Sequence, residues 1–240
     1  MANQDLSAIW VYLSASPLAG LTLTLMAYGI AFRLYQHLNN NPLLHPVVIA
    51  ATMIIGFLLL TDTNYDSYFE GGQFVHFLLG PATVALAIPL YQQWSKIKKL
   101  WLPLSITVVG GVLIAGVSAI VIAQLLGASI ETQLSLAPKS VTAPVAMAIS
   151  EQLNGLPSLT AVLVVTTGIL GAVIGTKILS LIGIKDDAVK GMAMGITAHG
   201  IGTARAFQVG KEMGAFSGLA MATSTFVTAL ILPWLVGCLV

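Results

Sequence analysis

Between Lys99 and Glu131 the chain carries no charged side chain, and Leu100–Leu126 reads as one apolar run. About 20 apolar residues cross the hydrocarbon core of a bilayer, where every backbone N–H and C=O must be bonded internally. A run of this length is a membrane helix. The remainder agrees: 57% of residues are hydrophobic and 8% charged, with mean hydropathy +0.91, against about 25% charged in a soluble domain. The expected fold class is an all-α polytopic membrane protein. A net charge of +1 supplies no field that would gather nucleic acid. Twenty-three glycines and ten prolines point to close helix packing and deliberate helix breaks, not to linkers. The single cysteine, Cys238, reads as a small packing residue. The first residues lack a basic region and carry Asp5, so the first helix is expected to be retained, not cleaved as a signal peptide. No hydrophilic stretch is long enough for a soluble domain, and residues 1–240 read as a single membrane domain.

About eight hydrophobic segments follow one another. They are Ser7–Leu34 (Pro17 making its start a separate interfacial turn), Leu43–Thr61, Gly71–Tyr91 interrupted at Gly80-Pro81, Leu100–Leu126, Ser129–Leu153, Pro157–Ile182, Gly191–Gln208 and Met213–Val240. Between them lie a polar turn at Gln36–Pro42, an acidic aromatic stretch at Asp62–Glu70 read as a solvated loop, a basic cluster of Lys96, Lys98 and Lys99, and a short charged connection, Lys185–Lys190. Small residues at Gly110, Gly111 and Gly116, and again at Gly168, Gly171 and Gly175, suit close helix approach. With eight crossings, lysine and arginine placement puts Arg33, Lys96–Lys99 and Lys211 in the cytoplasm, and Asp62, Asp66, Glu70, Glu131, the Lys185–Lys190 loop and both termini outside. If the broken segments re-enter instead of crossing, that count changes.

Two stretches carry polar groups where the hydropathy demands a span. Leu136–Ala143 (LAPKSVTA) is closed by Pro144, and Pro138 and Pro144 each remove an amide donor and clash with the preceding turn. This predicts two half-helices meeting at an unwound centre. Lys139 is costly there unless it has a task. It either pairs with an anionic substrate, helped by Ser140, Thr142 and free amides, or snorkels to an interface or neutralises Glu151. The second stretch, His199–Arg205 (HGIGTAR), breaks another segment. Gly200 and Gly202 let backbone approach a ligand. His199 either relays a proton or bonds a carbonyl as a structural histidine. Arg205 either forks onto a carboxylate or anchors its segment. Thr83 and Thr203 are hydroxyls beside the breaks that orient substrate or satisfy freed carbonyls, and His76 reads as structural. Metal-ligand spacing, a phosphate-binding glycine loop and a nucleotide signature are all missing from the sequence. The expectation is therefore no cofactor, no metal and no enzymatic activity.

The two halves resemble each other at a spacing of about 120 residues, giving candidate repeats 7–126 and 129–240 of the kind transporters carry. Gly80-Pro81-Ala82-Thr83 aligns with Gly200-Ile201-Gly202-Thr203, and Asp66 with Asp186. Inverted halves need an odd number of crossings each, which re-entrant broken segments would supply.

At LAPKSVTAPVAMAI, AHGIGTARA, NYDSYFEGG and GPATVALAIPLY the chain resembles the LrgB/CidB family of bacterial membrane proteins, from about Asn41 to the end. Ala143 stands where relatives often carry threonine. The resemblance implies a multi-pass protein of the bacterial inner membrane, with a small LrgA/CidA-type membrane protein as partner. It also implies one of two activities: holin- or antiholin-like modulation of murein hydrolase activity and lysis, or carriage of small monocarboxylates such as glycolate, glycerate, pyruvate or lactate. On the carrier reading the anion binds at the midplane between the two breaks, contacted by Lys139, Ser140, Thr142, His199, Gly200, Gly202, Thr203, Arg205 and Thr83, in a homo-oligomer expected to be a dimer.

Overall fold

The computed structural model describes residues 17–38, 46–78, 81, 84–85 and 87–239, and the elements assigned among them are helices. Ser7–Ser16, Leu43–His45, Gly80, Thr83 and the side chain of His76 lie outside the described residues. The chain divides into two compact units, Met1–Ala85 and Leu86–Val240.

In the first unit α1 (Pro17–His37) packs against both α2 (Pro46–Leu60) and α3 (Tyr65–Phe77). Ala27, Ala31 and Ala50 form the contact between α1 and α2. A side chain on Gly20 would run into the Tyr68 carbonyl, so α1 and α3 meet backbone to backbone there, and one turn on the Thr24 and Tyr68 hydroxyls pair at 2.8 Å. Most of the acidic stretch read as a loop is therefore the start of a helix. Asn64 Oδ1 caps it by accepting from Asp66 N at 3.1 Å. Tyr65 and Phe69, one turn apart, stack at 5.6 Å.

The second unit contains α4 (Ala87–Gln92), α5 (Trp94–Lys99), α6 (Trp101–Leu125), α7 (Ile130–Leu136), α8 (Ala143–Gln152), α9 (Pro157–Leu181), α10 (Asp187–Val209) and α11 (Lys211–Leu239). Helices α6 and α9 end alike. Gly127 (φ 73) and Gly183 (φ 82) take the left-handed conformation, and the next amides close back onto Ala123 O (2.9 Å) and Leu179 O (3.0 Å). Among the described residues four helices are long and apolar enough to cross a membrane: Leu18–His37, Trp101–Leu125, Pro157–Leu181 and Lys211–Leu239. This is an all-helical membrane protein.

Two elements of the second unit reverse direction. In a straight helix Asp187 and Gly210 would lie about 34 Å apart, yet a Cβ on Gly210 would sit 3.8 Å from Asp187 Oδ2. Met194 and Ala206 share one core with Met213. The turn is at His199 (φ 40, ψ −131), so α10 is a hairpin of two antiparallel arms. Helices α7 and α8 do the same around residues 137–142. Ser135 and Ser150 would be about 22 Å apart on one helix, but both are bonded to Thr160 Oγ1, at 2.9 Å through the Ser135 carbonyl and 2.7 Å through the Ser150 hydroxyl. Long helices α6, α9 and α11 thus alternate with two hairpins that each return to the end they left.

This geometry corrects the orientation expected for the Lys185–Lys190 connection. Lys96 Nζ lies 2.5 Å from Glu212 Oε1 and 3.7 Å from Asp186 Oδ2. The connection therefore sits at the same end as the basic cluster, because the segment before it (α7–α8) returns instead of crossing. At the opposite end Gln124 Nε2 donates to Leu239 O at 3.0 Å.

Candidate anion site between two helical hairpins

Helix α9 measures where the hairpins reach. Thr160, near its start, holds the base of the α7–α8 hairpin. One turn further, Val164 packs against Val141 and Ala146 of that hairpin, while the Val164 carbonyl accepts from His199 Nε2 at 3.0 Å. A Cβ on Gly168 would strike the His199 ring at 2.7 Å, and those on Gly171 and Gly175 would strike Ala198 and Met194. The small-residue row noted in the sequence is thus the seat of the descending arm of α10. Val164–Gly171 is the middle of a 25-residue helix, so the two hairpins enter from opposite ends and meet near its midpoint.

Lys139 stands at the tip of the first hairpin. Pro138 and Ala137 are buried, and the backbone turns there through Lys139 N to Leu136 O (3.1 Å) and Val141 N to Pro138 O (3.2 Å). Its Nζ is 3.4 Å from the Ser140 hydroxyl. Among the described residues no carboxylate lies within salt-bridge distance of it, so Glu151 does not neutralise it. Lys139 opens onto a crevice of about 460 Å³ that it shares with Thr167, Gly171 and Gly175 of α9 and with Ala193, Met194 and Thr197 of α10. Among the described residues it is the only charged group on those walls. Apart from Lys139 the walls are apolar but for Thr167 and Thr197, and the Thr197 hydroxyl donates to Ala193 O at 2.7 Å.

The other expected residues fall around this crevice unequally. Ser140 lines a separate gap of about 10 Å³ beside Gly116, Ile196 and Thr228, room for about one water. Thr142 is the residue before α8, half-buried, and its carbonyl accepts from Ala146 N at 2.9 Å. His199 is 5% exposed and faces Val164, not Lys139. Because a carbonyl only accepts, Nε2 carries the proton in this contact. Thr203 Oγ1 donates to His199 O at 2.8 Å and pairs with Ser217 Oγ at 2.9 Å, so it satisfies backbone at the reversal. Gly202 is sterically required, since a Cβ there would lie 2.5 Å from Ala198 Cβ. Gly200 is exposed, and a Cβ on it would meet only Met221 Sδ at 3.9 Å. Arg205 Nη1 donates to Gln208 Oε1 at 3.1 Å on its own arm and is not part of the crevice wall.

Sequence reasoning missed Thr167 and Thr197. Both sit inside mainly apolar segments, where a threonine carries no signal until the neighbouring helix is placed.

The sequence pattern of the LrgB-like family matches residues 24–238. This chain belongs to that family. Among its LrgB-like relatives, a holin-like protein CidB of Staphylococcus epidermidis is 34% identical over 89% of this chain and 93% of its own. An uncharacterized protein, YwbG of Bacillus subtilis, is 35% identical over 91% and 96%. An antiholin-like protein LrgB of Bacillus cereus is 30% identical over 91% and 95%. No solved structure matches. An LrgB-like chain with four apolar helices of spanning length is a multi-pass protein of the bacterial cell membrane.

Proposed function

We propose that this LrgB-like protein carries small anions across the membrane, with Lys139 as the group that holds them. The observation behind this reading is the position of Lys139: a cation with no acidic partner among the described residues, at the tip of one hairpin and level with the tip of another. Irregular backbone at membrane depth is tolerated where it lines a cavity, and transporters place their sites at such discontinuities. On this reading the hairpins are re-entrant elements of an inverted repeat, each half crossing an odd number of times, with Thr83 near the matching break of the first half. Small monocarboxylates suit one cation with hydroxyls near it. Ser140, Thr142 and Thr167 orient the anion, Thr197 shapes the wall with a hydroxyl that donates to Ala193 O at 2.7 Å, and His199 and Arg205 act from further along α10. A homodimer, or a pair with a small LrgA/CidA-type membrane protein, completes the assembly.

The relatives' names support a second reading more directly than they support carriage: a holin- or antiholin-like protein that modulates lysis. That reading asks for assembly in the membrane and does not ask for an unpaired lysine between hairpins.

Purified protein in sealed vesicles separates the two. Saturable uptake from a panel of small carboxylates, abolished by Lys139→Ala in a protein that still inserts, is the outcome expected of the carrier. Unchanged uptake by that variant removes the site. Leakage of unrelated dyes without saturation supports the holin-like reading.

A further inference from the structure

Helices α6 and α11 of the second unit leave between them a groove of about 500 Å³. It begins at Ile97 and Trp101 and runs along α6 past Leu104 to Val109, facing Leu219 to Val227 of α11. Trp101 to Val109 is about 12 Å of helix, most of one leaflet's share of a hydrocarbon core about 30 Å thick. Its two wall hydroxyls are spent internally: Ser105 donates to Trp101 O at 2.8 Å and Thr223 to Leu219 O at 2.7 Å. The wall offers a ligand only apolar contact.

The mouth of the groove is different. Ile97, on its wall there, is flanked along α5 by Lys96, Lys98 and Lys99. Lys96 is occupied by Glu212 and Asp186, but Lys98 and Lys99 are exposed and have no acidic partner among the described residues. Lys98 lies over the Trp94 ring at 5.2 Å, and Trp94 and Trp101 are 48% and 64% exposed, as residues at the headgroup level are. Lys211 adds a further cation at this end, next to Glu212. An apolar trough one leaflet deep, with unpaired ammonium groups and indoles at its open end, matches a molecule with an acyl chain below and a phosphate above.

We propose that this groove is a binding site for an anionic phospholipid: one acyl chain lies between α6 and α11, and the headgroup phosphate is held by Lys98 and Lys99. Charge selects the occupant: a zwitterionic lipid cancels the same phosphate with its own ammonium, and an apolar transmembrane helix has no anion to offer two lysines.

The test uses full-length protein in which Trp10, Trp94 and Trp234 are replaced by phenylalanine, leaving Trp101 as sole reporter. Vesicles are made with phosphatidylglycerol or phosphatidylcholine brominated on the acyl chains. Brominated phosphatidylglycerol is expected to quench Trp101 at a several-fold lower mole fraction than phosphatidylcholine. The double substitution Lys98→Gln, Lys99→Gln, both on exposed residues, is expected to bring the two lipids to equal quenching. Equal quenching in the unsubstituted protein overturns the proposal. So does a phosphatidylglycerol preference that survives removal of both lysines. Trp101 shielded from both lipids overturns it as well, and identifies a second copy or another protein helix as the occupant.

Discussion

The two hairpins of the second unit reach the same level on α9 by opposite means. The α7–α8 hairpin is bent by proline and closed at its base by buried hydroxyls. Ser135, Ser150 and Thr160 are each 0% exposed, and Leu156 N also donates to Ser135 Oγ at 2.7 Å. Its tip spends several residues on turns, which leaves room for Lys139. The α10 hairpin has no proline. It reverses at His199, and its arms are pressed together and against α9 and α11 by glycines. It is tied at its base by ions, Lys96 with Asp186 and Glu212. The proline-built reversal leaves Lys139 and Ser140 half-buried at its tip, and the glycine-packed one buries its histidine.

The largest expected loss attacks the tight hairpin. A side chain on Gly195 would collide with the Ser217 carbonyl and sit 3.0 Å from Met221 N, and backbone cannot move aside as a side chain can. Gly195→Leu is expected to cost about 3 kcal/mol or more and to prevent a stable fold in detergent. Gly200→Ala, facing open space, should unfold at the parent temperature. Equal loss from both would mean that α10 is not a hairpin packed on α11.

Next comes His199. His199→Ala removes the bond to the Val164 carbonyl and the ring that packs on Gly168, an expected loss of about 1–3 kcal/mol in thermal unfolding. His199→Gly loses the same bond but relaxes the positive φ, and should be less destabilising by about 1 kcal/mol. If glycine is the worse of the two, the strain assigned to the reversal is absent. In the wide hairpin, Thr160→Val keeps the shape and removes the hydroxyl that joins Ser135 to Ser150. A loss of about 1–3 kcal/mol in thermal unfolding is expected; if the protein is the carrier proposed above, uptake falls with it. Full stability in this variant would remove the hydroxyl node as the clasp.

The smallest effect is at the ionic base. The hydrogen bond to Glu212, with Asp186 alongside, raises Lys96 above its ordinary 10.5. The Val189 amide foremost, then Lys96, lowers Asp186 below its ordinary 3.8. The Asp186 contribution is present above 3.8 and is lost as pH falls through its lowered folded value. The Lys96 contribution is present below 10.5 and is lost as pH rises through its raised folded value. Thermal stability should therefore plateau between these limits. Because these side chains are more than a third exposed, the amplitude is at most about 1 kcal/mol, smaller at high salt. Lys96→Gln should flatten the alkaline edge, and an unchanged edge there would dissociate the pair from stability.

Much of this was legible in the chain. Leu100–Leu126 became Trp101–Leu125, and Pro157–Ile182 became Pro157–Leu181, because a long uncharged run bounded by polar turns has one solution in a bilayer. The breaks at Pro138 and His199 were legible too, as was the presence of Lys139 at one of them. The direction of the chain after each break was not. Proline and glycine say that a helix stops; they do not say whether the next helix continues or returns.

Sequence alone determined that this is a membrane protein of the LrgB-like family with an ionisable residue at a helix break, since hydropathy, proline chemistry and motif identity are local properties. Only the tertiary structure decided that both breaks are reversals, that they meet at the middle of α9, and that Lys139 shares a crevice with Thr167 and Thr197 while His199 bonds Val164. Those facts depend on which glycines admit which neighbours, and that is a property of packed pairs of helices, not of either helix by itself.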